Sequence, residues 1–229
     1  LQNSKNRKIL IQSTLKIPSK KQGIGIIQTS PKNQKEIWDA IASEWTEFKT
    51  TPAEHVLEFL KNKKGNILDL GSGSGRHLIN LKTKGKMHLV DFSKEMIKLA
   101  KKRAKKLNIE AEFFVADIAK LPFEDNYFDS AICIAVLTCI HGEENRKKVI
   151  EELFRVLKPG AETDIGVWNF KSKRFKNSKK EKYIRWTDKG LRYYYFYEEK
   201  EIHDLFKDAG FKIKSTHNSE MMINFIAQK

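Results

Sequence analysis

Asp69-Leu70-Gly71-Ser72-Gly73-Ser74-Gly75 decides the fold. The preceding run, Asn66 to Leu70, is short and apolar, as a buried parallel strand requires. Three glycines at alternate positions then let the backbone turn tightly and approach a ligand with no Cβ in the way. Arg76 to Lys82 resumes a helical pattern, which predicts a helix start with free N–H groups facing that ligand. The next strand, Met87 to Val90, ends in Asp91. That is about 20 residues on, the spacing at which nucleotide-binding α/β folds carry the carboxylate that grips a ribose. An acid leads the turn and no Gly-Lys-Ser/Thr follows, so a P-loop is disfavoured.

Outward from this turn, strand and helix signals alternate. A strand at 86–91 precedes a helix at 94–107, and a strand at 111–115 precedes a loop holding Asp117. A strand at 128–135 leads to a helix at 143–157, then a strand at 162–168 after the Lys158-Pro159-Gly160 turn. A helix from Glu198 to Ala209 stops at Gly210, and strands at 211–216 and 222–227 close the chain as an antiparallel pair. This is the pattern of an α/β, Rossmann-like sheet with helices on both faces and ligands at the carboxyl ends of its strands. Upstream, residues 33–48 space Ile37, Trp38, Ile41, Ala42 and Trp45 as one helical face, and Pro52 to Lys61 reads as a helix capped by Thr51. Ile9 to Leu15 and Gly23 to Ile27 read as two possible strands in a basic N-terminal extension, 1–32, ahead of a domain at 33–229.

The net charge is +15, and its placement matters more than its size. Residues 1–35 and Phe170 to Arg192 each carry a net +8, so everything between and beyond them is close to neutral. Trp186 and a tyrosine run lie in the second segment, which points to a polyanionic partner. No stretch approaches the ~18 apolar residues of a membrane span, and a cytoplasmic location is the expectation. Cys133 and Cys139 read as buried thiols, no metal-ligand spacing is present, and no metal is expected.

The glycine turn resembles motif I of the class I S-adenosylmethionine-dependent methyltransferases, and the likeness continues in order. Val90-Asp91-Phe92-Ser93 resembles the ribose-binding strand end, and Val115-Ala116-Asp117-Ile118 the adenine-holding loop. Leu121-Pro122-Phe123 with Phe128-Asp129 resembles the approach to strand four, and Leu153 to Gly160 the turn before strand five. The resemblance implies a seven-stranded sheet with an antiparallel C-terminal strand, and S-adenosyl-L-methionine as cofactor. Asp69, Gly71, Ser72, Gly73 and Gly75 would then lie under the methionine end, with Asp69 orienting the loop or receiving the ammonium. Asp91 would accept the ribose hydroxyls, with Phe92 and Ser93 beside it. Ala116, Asp117 and Ile118 would hold the adenine, and Ile134 and Ala135, with Val136, would wall the sulfonium.

The flanks resemble the tRNA wobble-uridine carboxymethyl methyltransferases. Trp38-Asp39-Ala40-Ile41-Ala42 through Lys49, Pro52 and Phe59-Leu60 follow that family's N-terminal pattern. Val167-Trp168, Tyr183-Ile184-Arg185-Trp186 and Arg192-Tyr193-Tyr194-Tyr195 follow its later blocks. The chain departs from it with Lys49 for an arginine, Ala53 for a tryptophan, Tyr195 for a histidine, Thr138-Cys139 for His-His, and a shorter basic insert. The resemblance implies methyl-esterification of 5-carboxymethyluridine at position 34 of a tRNA. Arg192, Tyr193 and Lys49 would position the substrate with no general base, and a basic insert at about 169–192 would bind RNA through Lys171, Lys173, Arg174, Lys176, Arg185, Trp186 and Arg192. A small activator protein adding a strand to the sheet edge is a further possible partner. A period of two predicts that half of Tyr193 to Phe196 face a core. Two alternatives stand beside this reading: a small-molecule methyltransferase of the quinone-biosynthesis kind, and a non-catalytic RNA-binding adaptor with the same fold.

Overall fold

The alternating apolar pattern builds a sheet whose two faces are filled by different helices. In the computed structural model, residues 34–81 and 85–229 are described. The expected N-terminal extension and its strands lie outside them. The elements run α1 (Gln34–Phe48), α2 (Glu54–Leu60), β1 (Gly65–Leu70), β2 (Gly85–Asp91), α3 (Lys94–Leu107), β3 (Ala111–Val115), β4 (Phe128–Ile134), α4 (Glu143–Val156) and β5 (Leu157–Trp168). There follow β6 (Glu181–Trp186), β7 (Gly190–Tyr195), α5 (Glu199–Asp208), β8 (Lys212–Thr216) and β9 (Met222–Gln228).

Seven strands form one sheet in the order β3-β2-β1-β4-β5-β9-β8. Strands β1 to β5 are parallel, and β9 runs antiparallel to both β5 and β8. Only β9 is therefore reversed, and it is inserted between β5 and the edge strand β8 instead of forming the edge itself. Successive residues of β1 point to opposite faces. Ile67 packs with Val56 and Leu60 of α2 and Ala100 and Ala104 of α3, whereas Leu68 and Leu70 pack with Val149, Ile150 and Leu153 of α4 and Ile202 and Phe206 of α5. The chain order reverses direction between β1 and β4, and a crevice opens there at the carboxyl ends of the strands.

Three expectations change. The helix expected from Arg76 is a series of turns: Gly75 N–H donates to Ser72 O and Leu78 N–H to Gly75 O, with Gly73 and Gly75 at positive φ. Left-handed glycines this close together cannot seed a regular helix. α2 begins at Glu54 with Ala53 at its extended N-cap position and no side-chain cap, so Thr51 does not cap it. Lys158-Pro159-Gly160 is absorbed into β5 as an irregularity, with Gly160 N–H donating to Lys229 O.

α1 and the β6–β7 hairpin form a separate layer over the strand ends. The Gln34 side chain bridges them, donating to Leu191 O at 3.1 Å and accepting from Tyr193 N–H at 2.9 Å. Asp39 fastens α1 to the start of α3, its Oδ1 accepting from Ser93 Oγ (2.6 Å) and Glu95 N–H (3.2 Å). Ser93 is itself the cap of α3, accepting from Met96 N–H. Replacing Asp39 with Ala removes two hydrogen bonds at a helix start. We expect a loss of about 1–2 kcal/mol in urea unfolding and faster amide exchange in α1; unchanged α1 protection rules out this anchoring role.

Candidate active site

The carboxyl ends of β1, β2 and β4, roofed by α1 and the hairpin, enclose a cavity of about 770 Å³. Asp69, Gly71, Ser72, Gly73, Asp91, Phe92, Asp117, Ile118, Ile134 and Ala135 line it, so most of the expected cofactor residues converge.

Asp91 organises this end. One carboxylate oxygen accepts from Gly73 N–H at 2.8 Å and the other from Ser93 N–H at 2.9 Å. Each oxygen keeps a further lone-pair direction for a diol donor. Burial pushes the Asp91 carboxyl up to about 6 against the pull of those N–H groups, with Asp39 adding to the rise. Asp69 is 2 % exposed, and its Oδ2 has no hydrogen-bond partner. Burial drives it to about 7, with Arg76 opposing and Asp91 adding to the rise. An unpartnered buried carboxylate beside a ligand cavity calls for a cation or donor from the ligand.

The glycines act differently from expectation. Gly71 and Ser72 both donate to Val90 O, and Gly73 donates to Asp91, so these N–H groups are spent on the fold instead of aimed at a ligand. At Gly73 (φ +54°) an added Cβ would stand free beside Met96, so this is the position where the backbone itself meets the cavity. Gly75 does not line the cavity; its missing Cβ lets α3 approach, since a Cβ there would press on Leu89 and Ala100. Ser93 and Ala116 also lie behind the wall: Ser93 caps α3, and Ala116 N–H donates to Asp91 O. Asp117 folds its own loop by accepting from Ala119 N–H at 2.9 Å. Ala135 takes φ +61° at the end of β4, a strained position for a residue with a Cβ, held by its N–H to Gly166 O at 2.7 Å.

The expected substrate residues divide. Lys49 lines the cavity, and its ammonium pKa is lowered by burial first, then by Arg76, Arg174 and Arg192. Arg192 does not line it. It is 5 % exposed in a cage of Trp186, Trp45, Tyr194 and Trp38, with ring centroids 4.7, 5.1, 5.1 and 5.7 Å from the guanidinium carbon. Tyr193 faces away from the cavity, donating to Glu181 at 2.6 Å with its ring against Tyr183 and His141. Tyr194 lines the cavity in its place. The tyrosine run is more buried than a period of two predicts: Tyr193, Tyr194 and Phe196 all sit in packed surroundings because the hairpin is covered on both faces.

Lys173, Arg174 and Lys176 are exposed around a single helical turn at Lys173–Phe175, pinned by the Phe175–Phe196 stack at 4.1 Å. Lys171 pairs with Glu198 at 2.8 Å, and Arg185 is exposed on β6. Trp186 is tied down, its Nε1–H donating to Glu44 at 2.7 Å. Trp38, Trp45, Arg76, His77, His141 and Trp168 line the cavity without having been expected there. Trp38 and Trp45 were legible as one helical face, but such a face reads as core. Burial pushes the Cys139 thiol up to about 12, consistent with no thiolate nucleophile here.

A doubly wound sheet with an acid-clamped glycine turn at its switch point defines a nucleotide-cofactor enzyme of the Rossmann-like class. The family model described as a methyltransferase domain matches residues 61–210, and the chain belongs to that family. A tRNA (carboxymethyluridine(34)-5-O)-methyltransferase of Arabidopsis thaliana is 33 % identical over 156 residues, covering 66 % of this chain and 37 % of that protein. The chain spans about a third of the length of the first curated relatives it matches. An uncharacterised protein of Methanocaldococcus jannaschii is 34 % identical over 191 residues, covering 79 % of this chain and 83 % of the other. Among solved structures, an S-adenosylmethionine-dependent methyltransferase of Methanosarcina mazei superposes with a TM-score of 0.65 at 25 % identity, covering 78 % of this chain and 98 % of the other. The residues present fit that cofactor: Asp69 is an orphaned acceptor for an ammonium, Gly73 opens the wall, and Asp91 presents a carboxylate for a diol.

Two outcomes follow. Asp91→Ala should weaken S-adenosylmethionine binding by roughly 2–4 kcal/mol, as a bidentate charged contact is lost; an unchanged Kd rejects the ribose assignment. Protons compete with the cofactor for Asp69 and Asp91, which are fully ionised only above their raised pKa values. Calorimetric affinity should therefore fall at least tenfold from pH 8 to pH 5, and a flat profile excludes both carboxylates from binding.

Proposed function

We propose that this protein is an S-adenosylmethionine-dependent tRNA methyltransferase that esterifies the carboxymethyl group of a wobble uridine. One observation carries the reading: a cavity roofed by Trp38, Trp45 and Tyr194 has Lys49 and Arg76 in its wall and Arg174 and Arg192 near enough to bias Lys49. Aromatic surfaces bind a splayed base, and clustered cations hold a carboxylate and the phosphates around it.

The cofactor, when bound, supplies a methyl group activated on a sulfonium. A carboxylate acceptor is already anionic at neutral pH, so no residue of this chain would have to take a proton from it, and the residues would serve to align it with the donor. Asp91 and Asp69 would fix the donor, and Lys49 would orient the carboxylate from the α1 side. Arg192 would act one layer back, setting the tryptophans of the roof and adding to the positive field. The exposed Lys173, Arg174, Lys176 and Arg185 would meet the RNA backbone, whose charge favours such contacts.

A partner is part of this reading. β3 is an edge strand whose one charged residue, Glu112, is paired with Lys86 and whose last residue, Val115, is 47 % exposed, whereas the opposite edge strand β8 carries Lys212 and Lys214. Charged edges resist strand addition and apolar ones invite it. A methyltransferase of similar fold from Haloferax volcanii, solved with the Trm112 activator, has a TM-score of 0.64 at 21 % identity. An activator of that kind would add to the β3 edge.

The test is incubation with labelled S-adenosylmethionine and tRNA carrying 5-carboxymethyluridine, with and without such an activator, followed by nucleoside analysis. We expect label as a methyl ester at the wobble nucleoside; transfer only to a small acceptor favours the small-molecule alternative, and cofactor binding without transfer favours the adaptor. Lys49→Met should lower kcat/KM on tRNA at least tenfold while cofactor affinity stays within twofold. Arg192→Ala should likewise depress turnover and spare the cofactor, and normal turnover removes Arg192 from substrate positioning.

A further inference from the structure

Four buried polar atoms with no hydrogen-bond partner converge at the lip of the cavity. They are both carboxylate oxygens of Asp164, Nδ1 of His55 and Nε2 of His217. Asp164 lies in β5, in register with Ile132 of β4 and Ile226 of β9, and is fully buried. His55 comes from α2, and His217 directly follows β8. One ligand atom from each residue lies within 4.8 Å of the others.

The separations favour an ion over direct contact. His217 Nε2 is 3.4 Å from one Asp164 oxygen, and His55 Nδ1 is 4.0 Å from the other; neither makes a hydrogen bond. Ligands about 2.0–2.2 Å from a tetrahedral centre lie roughly 3.3–3.6 Å apart. Of the three edges among the ligand atoms, His217 to Asp164 already has that length; all lie within 4.8 Å, and the His55 ring must move inward to close the set around an ion. The two rings meet edge to face with centroids 4.9 Å apart.

A supporting shell is present. His55 Nε2 lies 3.3 Å from Asn224 Oδ1, and the Asn224 amide donates in turn to His217 O at 3.5 Å. That orientation makes the Asn224 oxygen an acceptor and assigns the His55 proton to Nε2, leaving Nδ1 free to ligate. A buried carboxylate without a partner is costly, and a divalent ion would supply the missing charge.

We propose that His55, Asp164 and His217 bind one first-row divalent transition-metal ion that ties α2 and the β8–β9 connection to the sheet. Two imidazoles and one carboxylate suit zinc, cobalt(II) or iron(II) and leave a position open for water. His55 and His217 also line the cavity, so the ion fixes one wall of the candidate active site. The proposal does not depend on which acceptor is methylated.

The chelator-dialysed full chain would be titrated with Co2+ and then Zn2+, following visible d–d absorption, heat and thermal unfolding. One equivalent of Co2+ should give four- or five-coordinate bands that Zn2+ displaces, and Zn2+ should raise Tm. His217→Gln, on an accessible loop, and Asp164→Asn should each weaken binding at least 100-fold and abolish the Tm rise, and Asn224→Ala should weaken it about tenfold. Absence of stoichiometric binding at micromolar metal, or binding unaltered in His217→Gln, overturns the proposal. A failure of Asp164→Asn to fold leaves His217→Gln to decide.

Discussion

The carboxylate of Asp91 is the constraint on which the candidate site depends. By accepting from Gly73 and Ser93 it joins the glycine turn after β1 to the cap of α3 after β2. Asp39 reaches the same cap from α1. Sheet, helix and roof therefore meet at one cluster of buried Asp91, buried Ser93 and half-buried Asp39. Each acid has backbone or hydroxyl donors, which is how a charge can be kept from water without a cationic partner. The clamp holds Gly73 where an added Cβ would stand free, whereas a Cβ at Gly71, which also lines the cavity, would collide with Val136.

The site also holds groups that the fold alone leaves poorly served. Asp69 rises from an ordinary carboxylate value to about 7 because burial outweighs Arg76. A folded-state pKa above the unfolded one means that the folded protein holds this proton more tightly. Its stabilisation is complete below about pH 4 and is lost as pH climbs through 7, a penalty on the order of 4 kcal/mol at neutral pH if fully expressed. Ligand charge offsets that penalty only when it is positive. In the proposed reading the pocket would trade stability of the empty protein for affinity toward an ammonium-bearing ligand; the strained Ala135 beside it carries a smaller cost.

Much of the fold was legible because its signals are local. The α3 boundaries follow from Ser93 as cap and from Met96, Ile97, Ala100 and Ala104 at helical spacing, and Asn108 in the left-handed conformation ends it. The conjunction of glycine turn and Asp91 pointed to one end of the cavity that these residues line, since both sit at strand ends fixed by short apolar runs. Hydrogen-bond destinations were not legible. Whether the N–H groups of Gly71 and Ser72 point to a ligand or to Val90 depends on the register of β1 against β2. The three-residue cluster around Asp164 was invisible for the same reason: its members lie on elements distant in sequence, and a lone aspartate in an apolar strand gives no hint of two histidines beside it.

Arg192 illustrates how a residue can matter to a site that it does not touch. The sequence places it beside a tyrosine run in a basic segment, the setting of an RNA contact. The fold instead buries it among four aromatic rings, with its Nη1 donating to Tyr194 and its Nε unpartnered. Ring quadrupoles attract a guanidinium, but less completely than a carboxylate would. The charge is therefore only partly neutralised, and its field adds, after burial, Arg76 and Arg174, to the lowering of the Lys49 pKa in the cavity wall. A carboxylate partner for Arg192 would have stabilised the hairpin more and left the cavity less positive. In the proposed reading the aromatic cage would fix the roof while leaving positive potential where an anionic acceptor enters, so that one residue would serve architecture and electrostatics at once.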